Sequence, residues 1–121
     1  MPDIETHQKQ AAHNERLAMQ LAETEYSDWA VTAVFYAALH HVDAYLHTKE
    51  VYCRLHPRRD AEIARNPNTR PIYKDYGHLK MMSEDARYNG AAMPSHKVKE
   101  VAIPKLEKIK NHLRRLVTPA A

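Results

Sequence analysis

The chain has 121 residues, 18 Lys+Arg against 15 Asp+Glu for a net charge of +3, and nine His that add positive charge below about pH 6. Only two glycines occur, which excludes Gly-rich phosphate loops and argues against a turn-rich all-β fold. Cys53 is the single cysteine, so no intrachain disulfide and no Cys-based zinc finger forms; no 18-residue apolar run occurs, and no signal peptide is expected. One soluble cytoplasmic domain spanning residues 1–121, with no membrane partner, is expected.

The first segment, Asp3 to about Glu23, is rich in Ala, Gln, Glu and Lys. Ile4, Ala11, Leu17, Ala18 and Leu21 give it a thin apolar stripe, so it reads as an amphipathic helix. Ser27 or Asp28 then caps a second helix, running from Asp28 to about His47. Val31, Phe35, Leu39, Val42 and Leu46 share one face of that helix. Ala30, Ala37 and Ala44 make a small-residue stripe opposite, and Trp29, Ala33, Tyr36, His40 and His47 make a third. A helix apolar or aromatic on nearly all sides is central in its bundle or also serves a dimer interface. His41 points toward the alanines as a packing residue.

A packed connector, Thr48 to His56, leads to a short helix that ends near Arg65. Pro57 sits in its first turn and His56 at its cap, and Asn66-Pro67-Asn68 stops it. The third long segment, Arg70 to Tyr88, repeats Ile72, Tyr76, Leu79, Met82 and Ala86 at helical spacing. Gly77 within it implies a close backbone approach or local weakness. Asn89-Gly90 is a stop. The last helix, about Lys97 to Val117, has an apolar face of Val98, Ala102, Leu106, Ile109, Leu113 and Leu116 and a basic outer face. Pro104 kinks it, and Thr118 to Ala121 form a frayed tail. The expected fold is all-α: an antiparallel up-and-down bundle of four long helices plus a short one.

Two arginines and a histidine at a helix start, in His56-Pro57-Arg58-Arg59, oppose the helix dipole and point to an anion, phosphate above all. The plain alternative pairs Arg58 and Arg59 with Asp60, Glu62 or another helix. His40, Asp43 and His47 share one face at spacings of three and four, the pattern of a two-His-one-carboxylate metal half-site. Arg87 and Tyr88 close the third long helix, where a cation suits the dipole and a tyrosine can stack on a base.

Ser27-Asp28-Trp29-Ala30-Val31 and Phe35-Tyr36-Ala37-Ala38-Leu39-His40 resemble the core helix of small prokaryotic HEPN-domain proteins. His56-x-x-Arg59-x-x-x-Ile63, Tyr76-x-x-Leu79 and Ser83-x-x-Ala86-Arg87-Tyr88 follow in the matching order, across roughly residues 20 to 115. The resemblance implies a four- to five-helix bundle that homodimerises. It implies a place in a toxin–antitoxin, antiphage or CRISPR-linked system, with RNA or a nucleotide as ligand and metal-independent endoribonuclease activity without a cofactor.

No Arg here has a His at the family's usual spacing, an Arg followed after four to six residues by a His. His56, Arg59 and His40 stand in that place as expected catalytic residues, proton carriers and a phosphate cation. Arg58, Arg87 and Tyr88 are the expected phosphate or RNA contacts. The site expectation is a cationic pocket lined by His56, Arg58 and Arg59, with His40 reaching toward it. The rival readings are a non-catalytic dimer module that inhibits or scaffolds a protein partner from the same operon, and a His-rich metal-binding bundle.

Overall fold

Asp3 opens the first helix: its carboxylate accepts from the Thr6 amide at 2.8 Å, satisfying one free N–H of α1 (Ile4–Leu21). The structure, a computed structural model, describes residues 3–117. The chain continues through α2 (Ser27–Thr48), α3 (His56–Arg65) and a 3-10 turn (Arg70–Ile72) into α4 (Tyr73–Tyr88). It ends with α5 (Ser95–Lys97), a π turn (Val98–Ala102) and α6 (Ile103–Val117). No strand occurs among the described residues. The fold is the expected all-α bundle of four long helices and a short one. The expected frayed tail lies outside the described residues.

Helix directions follow from the cross-helix pairs. His7 meets His47 and Glu15 meets His41, so α1 and α2 run antiparallel. Glu15 meets Lys110 and Glu23 meets Lys99, so the last helical stretch runs antiparallel to α1 as well. α2 is the central element. Val31, Val34, Phe35, Val42 and Leu46 are fully buried, with Leu39 nearly so, and its alanines are buried on the other sides. Tyr76 and Leu79 from α4, Ile63 from α3 and Leu106 and Ile109 from α6 complete the core.

Several local expectations are corrected. Neither Ser27 nor Asp28 caps α2: Tyr26 holds the cap position, without a side-chain bond, and both polar residues lie inside the helix. Leu55 rather than His56 precedes α3, which places His56 in its first turn. No atom approaches the Cβ position of Gly77, so that glycine only weakens α4.

The Pro104 kink takes a specific form. Proline has no N–H, so the carbonyl four residues earlier loses its α-helical donor. The helix widens into the π turn just before it, and the Ile103 amide closes on the Val98 carbonyl. α2 ends in a Schellman motif. The Glu50 amide donates to the His47 carbonyl at 3.0 Å and the Val51 amide to the Leu46 carbonyl at 2.9 Å. Glu50 takes the left-handed conformation this requires, at φ 59°.

Candidate functional site

Arg59, expected at a phosphate, is locked inside the protein. Its Nε donates to Asp43 Oδ1 at 2.8 Å and its Nη2 to Asp43 Oδ2 at 3.0 Å. Nη2 also donates to the Cys53 carbonyl at 2.6 Å. Both charged side chains are 6% exposed. Asp43 thus supplies from α2 the anion that the acid-free first turn of α3 lacks. The same bond engages both Asp43 oxygens, so the metal half-site of His40, Asp43 and His47 is not assembled. No cluster of three or more metal-ligating side chains occurs among the described residues.

His40 faces α1. Its Nδ1 lies 2.9 Å from Nδ1 of His7, a buried residue that also stands edge-on to His47, with ring centroids 4.6 Å apart. Burial lowers the pKa of both His7 and His40, and their mutual repulsion and Arg59 add to the shift in His40. Two ring nitrogens at this distance need one to donate and the other to accept, so both imidazoles cannot be protonated at once. His40 also borders a groove between α1 and α2 that contains Leu17, Trp29 and Tyr36. The His56 cleft lies on the other side of Tyr36.

That cleft, of about 440 Å³, is formed where α2, the start of α3 and the end of α4 meet. His56, Lys80 and Arg87 bring it positive or titratable groups, Glu84 brings one carboxylate, and Phe35, Tyr36 and Tyr88 give it aromatic walls. Three residues expected at the site, His56, Arg87 and Tyr88, therefore do line one cleft. His40, Arg58 and Arg59 do not line it, and Arg58 is exposed.

Arg87 is half-buried. Its Nη1 donates to the Tyr36 hydroxyl at 3.1 Å and its Nε to the Ser83 carbonyl at 3.3 Å. The guanidinium lies over the rings of Tyr36 and Tyr88, 5.6 and 5.0 Å from their centroids. It meets no carboxylate among the described residues. Lys80 pairs with Asp60 of α3. Burial lowers the pKa of His56, and Arg59 and Lys80 lower it further, so the neutral imidazole is favoured.

Buried polar atoms without partners gather on the elements behind the cleft. Four of the six among the described residues are His56 Nδ1 and Asp60 Oδ1 on α3 and the Tyr76 and Ser83 hydroxyls on α4; the other two, on Thr32 and His41, lie on α2. Tyr76, Lys80, Ser83 and Arg87 follow one another at three- and four-residue steps, so they share a face of α4. That spacing was available in the sequence as the signal for Lys80, although periodicity marks a face and not a charge. Nothing in the sequence marked His7, whose partner is 33 residues away.

The chain matches no protein-family profile, no curated protein and no solved structure. Among the described residues, no helix is long and apolar enough to cross a membrane.

Proposed function

We propose that the chain is a cytoplasmic HEPN-like protein of a toxin–antitoxin, antiphage or CRISPR-linked system, and that its His56 cleft holds the phosphate of an RNA or nucleotide. One observation carries this reading: Arg87 is a half-buried cation, fixed by a hydroxyl, a carbonyl and two tyrosine rings, that pairs with no carboxylate among the described residues, the exposed Glu84 on the cleft rim included. A phosphate oxygen completes its donor set, within reach of Lys80 on the same helix face. Exposed Tyr88 offers a ring on which a base stacks.

Metal-independent endoribonuclease chemistry belongs to the proposal. Neutral His56 accepts the proton of the 2′-hydroxyl as that oxygen bonds to phosphorus, Arg87 and Lys80 stabilise the charge gathering on the phosphorane, and the P–O5′ bond breaks with the leaving oxygen protonated by water, giving a 2′,3′-cyclic phosphate and a 5′-hydroxyl. His40 and Arg59 act elsewhere in the protein.

The test is binding and cleavage of a short single-stranded RNA in EDTA. Arg87→Ala is expected to weaken binding about tenfold and to flatten its salt dependence by about one phosphate contact. His56→Ala is expected to stop cleavage and leave binding intact. Unchanged binding in both Arg87→Ala and Lys80→Ala would end the reading.

The second reading is a non-catalytic homodimer module. Trp29 favours it, standing 53% exposed beside Leu17 and Tyr36 on the α1–α2 groove. Sedimentation at tens of micromolar separates the two: a dimer abolished by Trp29→Ala, in a protein that binds no RNA, selects the module.

A further inference from the structure

A second concave feature lies on the opposite flank of α2. α1 and α6 both pack on α2 but meet each other through long side chains, with Glu15 bonded to Lys110. Ala12 and Ala44 are too small to fill the space between them. The result is a trough of about 350 Å³. Its walls are apolar over most of their area: Ile4 and Ala12 from α1, Ala44 from α2, Leu113 and Val117 from α6.

The polar groups of the trough are unbalanced. Among the described residues Glu15 is the single carboxylate lining it, and Lys110 already holds it at 3.2 Å. His41 Nε2 stands 3.6 Å from the same carboxylate, too far for a hydrogen bond, and is buried without a partner. Arg114, one turn beyond Lys110, also borders the trough and pairs with no carboxylate among the described residues. An apolar trough with one surplus cation fits a ligand that has an apolar body and one negative charge. At about 30 Å³ per small group, the space takes on the order of a dozen heavy atoms.

We propose that this trough is a binding site for a small amphipathic monocarboxylate, its apolar body between Ala12, Ala44 and Leu113 and its carboxylate on Arg114. The site is independent of the His56 cleft and of any RNA activity. Neither α4, which carries Lys80 and Arg87, nor α3, which carries His56, contributes to its walls.

The test is titration of the intact chain with octanoate, and with octan-1-ol as the uncharged control, followed by amide shifts in two-dimensional NMR. Octanoate is expected to shift the amides of α1, α2 and α6 around the trough and to saturate at millimolar concentration or below. Octan-1-ol is expected to bind about tenfold more weakly, the loss that one charge-assisted hydrogen bond represents. Arg114→Ala, at an exposed position that spares the fold, is expected to reduce octanoate binding by the same factor.

Ala12→Leu, at a half-exposed position, is expected to fill the trough and abolish binding while the circular dichroism stays helical. The proposal is overturned by an unsaturated titration, by equal binding of the alcohol, by an Arg114→Ala variant that binds normally, or by shifts confined to the His56 cleft.

Discussion

Replacing Arg59 separates a structural role from a ligand-binding one. The guanidinium makes three bonds of 2.6–3.0 Å, two to Asp43 and one to the Cys53 carbonyl. In Arg59→Ala all three disappear, and a carboxylate that is 6% exposed keeps its charge with no cation beside it. Breaking a buried pair from one side costs about 3–5 kcal/mol. A domain of this size has about 5–15 kcal/mol in total, so the variant is marginal. Removing both charges is different, because a buried pair repays little beyond its own desolvation. The double variant Asp43→Leu/Arg59→Met is therefore expected to recover most of the loss, to within about 1–2 kcal/mol of the parent. Urea unfolding followed by circular dichroism, with the slope compared across variants, measures both. An Arg59→Ala loss below about 1 kcal/mol, or a double variant as unstable as the single, would refute the structural assignment. So would an Arg59→Ala protein of parental stability that no longer binds RNA.

Three further outcomes are expected. Stability should rise with pH across the histidine range. His7, His40 and His56 all have lowered pKa values in the fold, so the unfolded chain binds more protons between the lowered values and the ordinary 6.5. The contribution is complete above about pH 7 and is lost as pH falls through 6.5 toward the folded values. Urea midpoints at pH 7.5, 6.5 and 5.5 that do not move would exclude it, and His7→Gln should flatten the slope. Gly77→Ala should stabilise α4 by about 0.4–1 kcal/mol, since the added Cβ meets nothing within 4 Å; a loss would mean an unseen clash. Glu50→Gly should raise the unfolding midpoint by up to about 1 kcal/mol, because its left-handed φ of 59° strains a side-chain-bearing residue; a lower midpoint would locate a stabilising role in the Glu50 side chain.

The bundle was legible because burial obeys helical period. Phe35, Leu39, Val42 and Leu46 lie in the core as their spacing required, and α2 is surrounded because its alanine stripe packs as closely as its large-residue stripe. Caps were less legible. Ser and Asp both suit a cap, but tertiary packing on α2 set the helix start one residue before Asp28, with no side-chain bond. The cleft was half legible. Arg87 and Tyr88 stood out as neighbours at a helix end, whereas Lys80 is a single lysine on a polar surface until α3 brings Asp60 and His56 beside it. His7 sits in a segment with no apolar run, and only the return of α2 past α1 gives it meaning.

The two arginine clusters show why local electrostatics singled out a cation that the fold pairs internally. At the start of α3, positive charge opposes the dipole, and an anion is required there; the inference was sound, but Asp43 of the same chain supplies that anion. At the end of α4, Arg87 agrees with the dipole, so its sequence position raised no electrostatic conflict. A dipole is worth only about 0.3–1 kcal/mol to an exposed charge and does not replace a counter-ion for a half-buried one. The decisive quantity is which cation remains without a carboxylate after the chain has folded, and that is a property of long-range pairing. By this criterion Arg59 is closed, Lys80 is shared with Asp60, and Arg87 is open toward the cleft. The same criterion opens Arg114 on the far side of α2, where Lys110 has already taken Glu15.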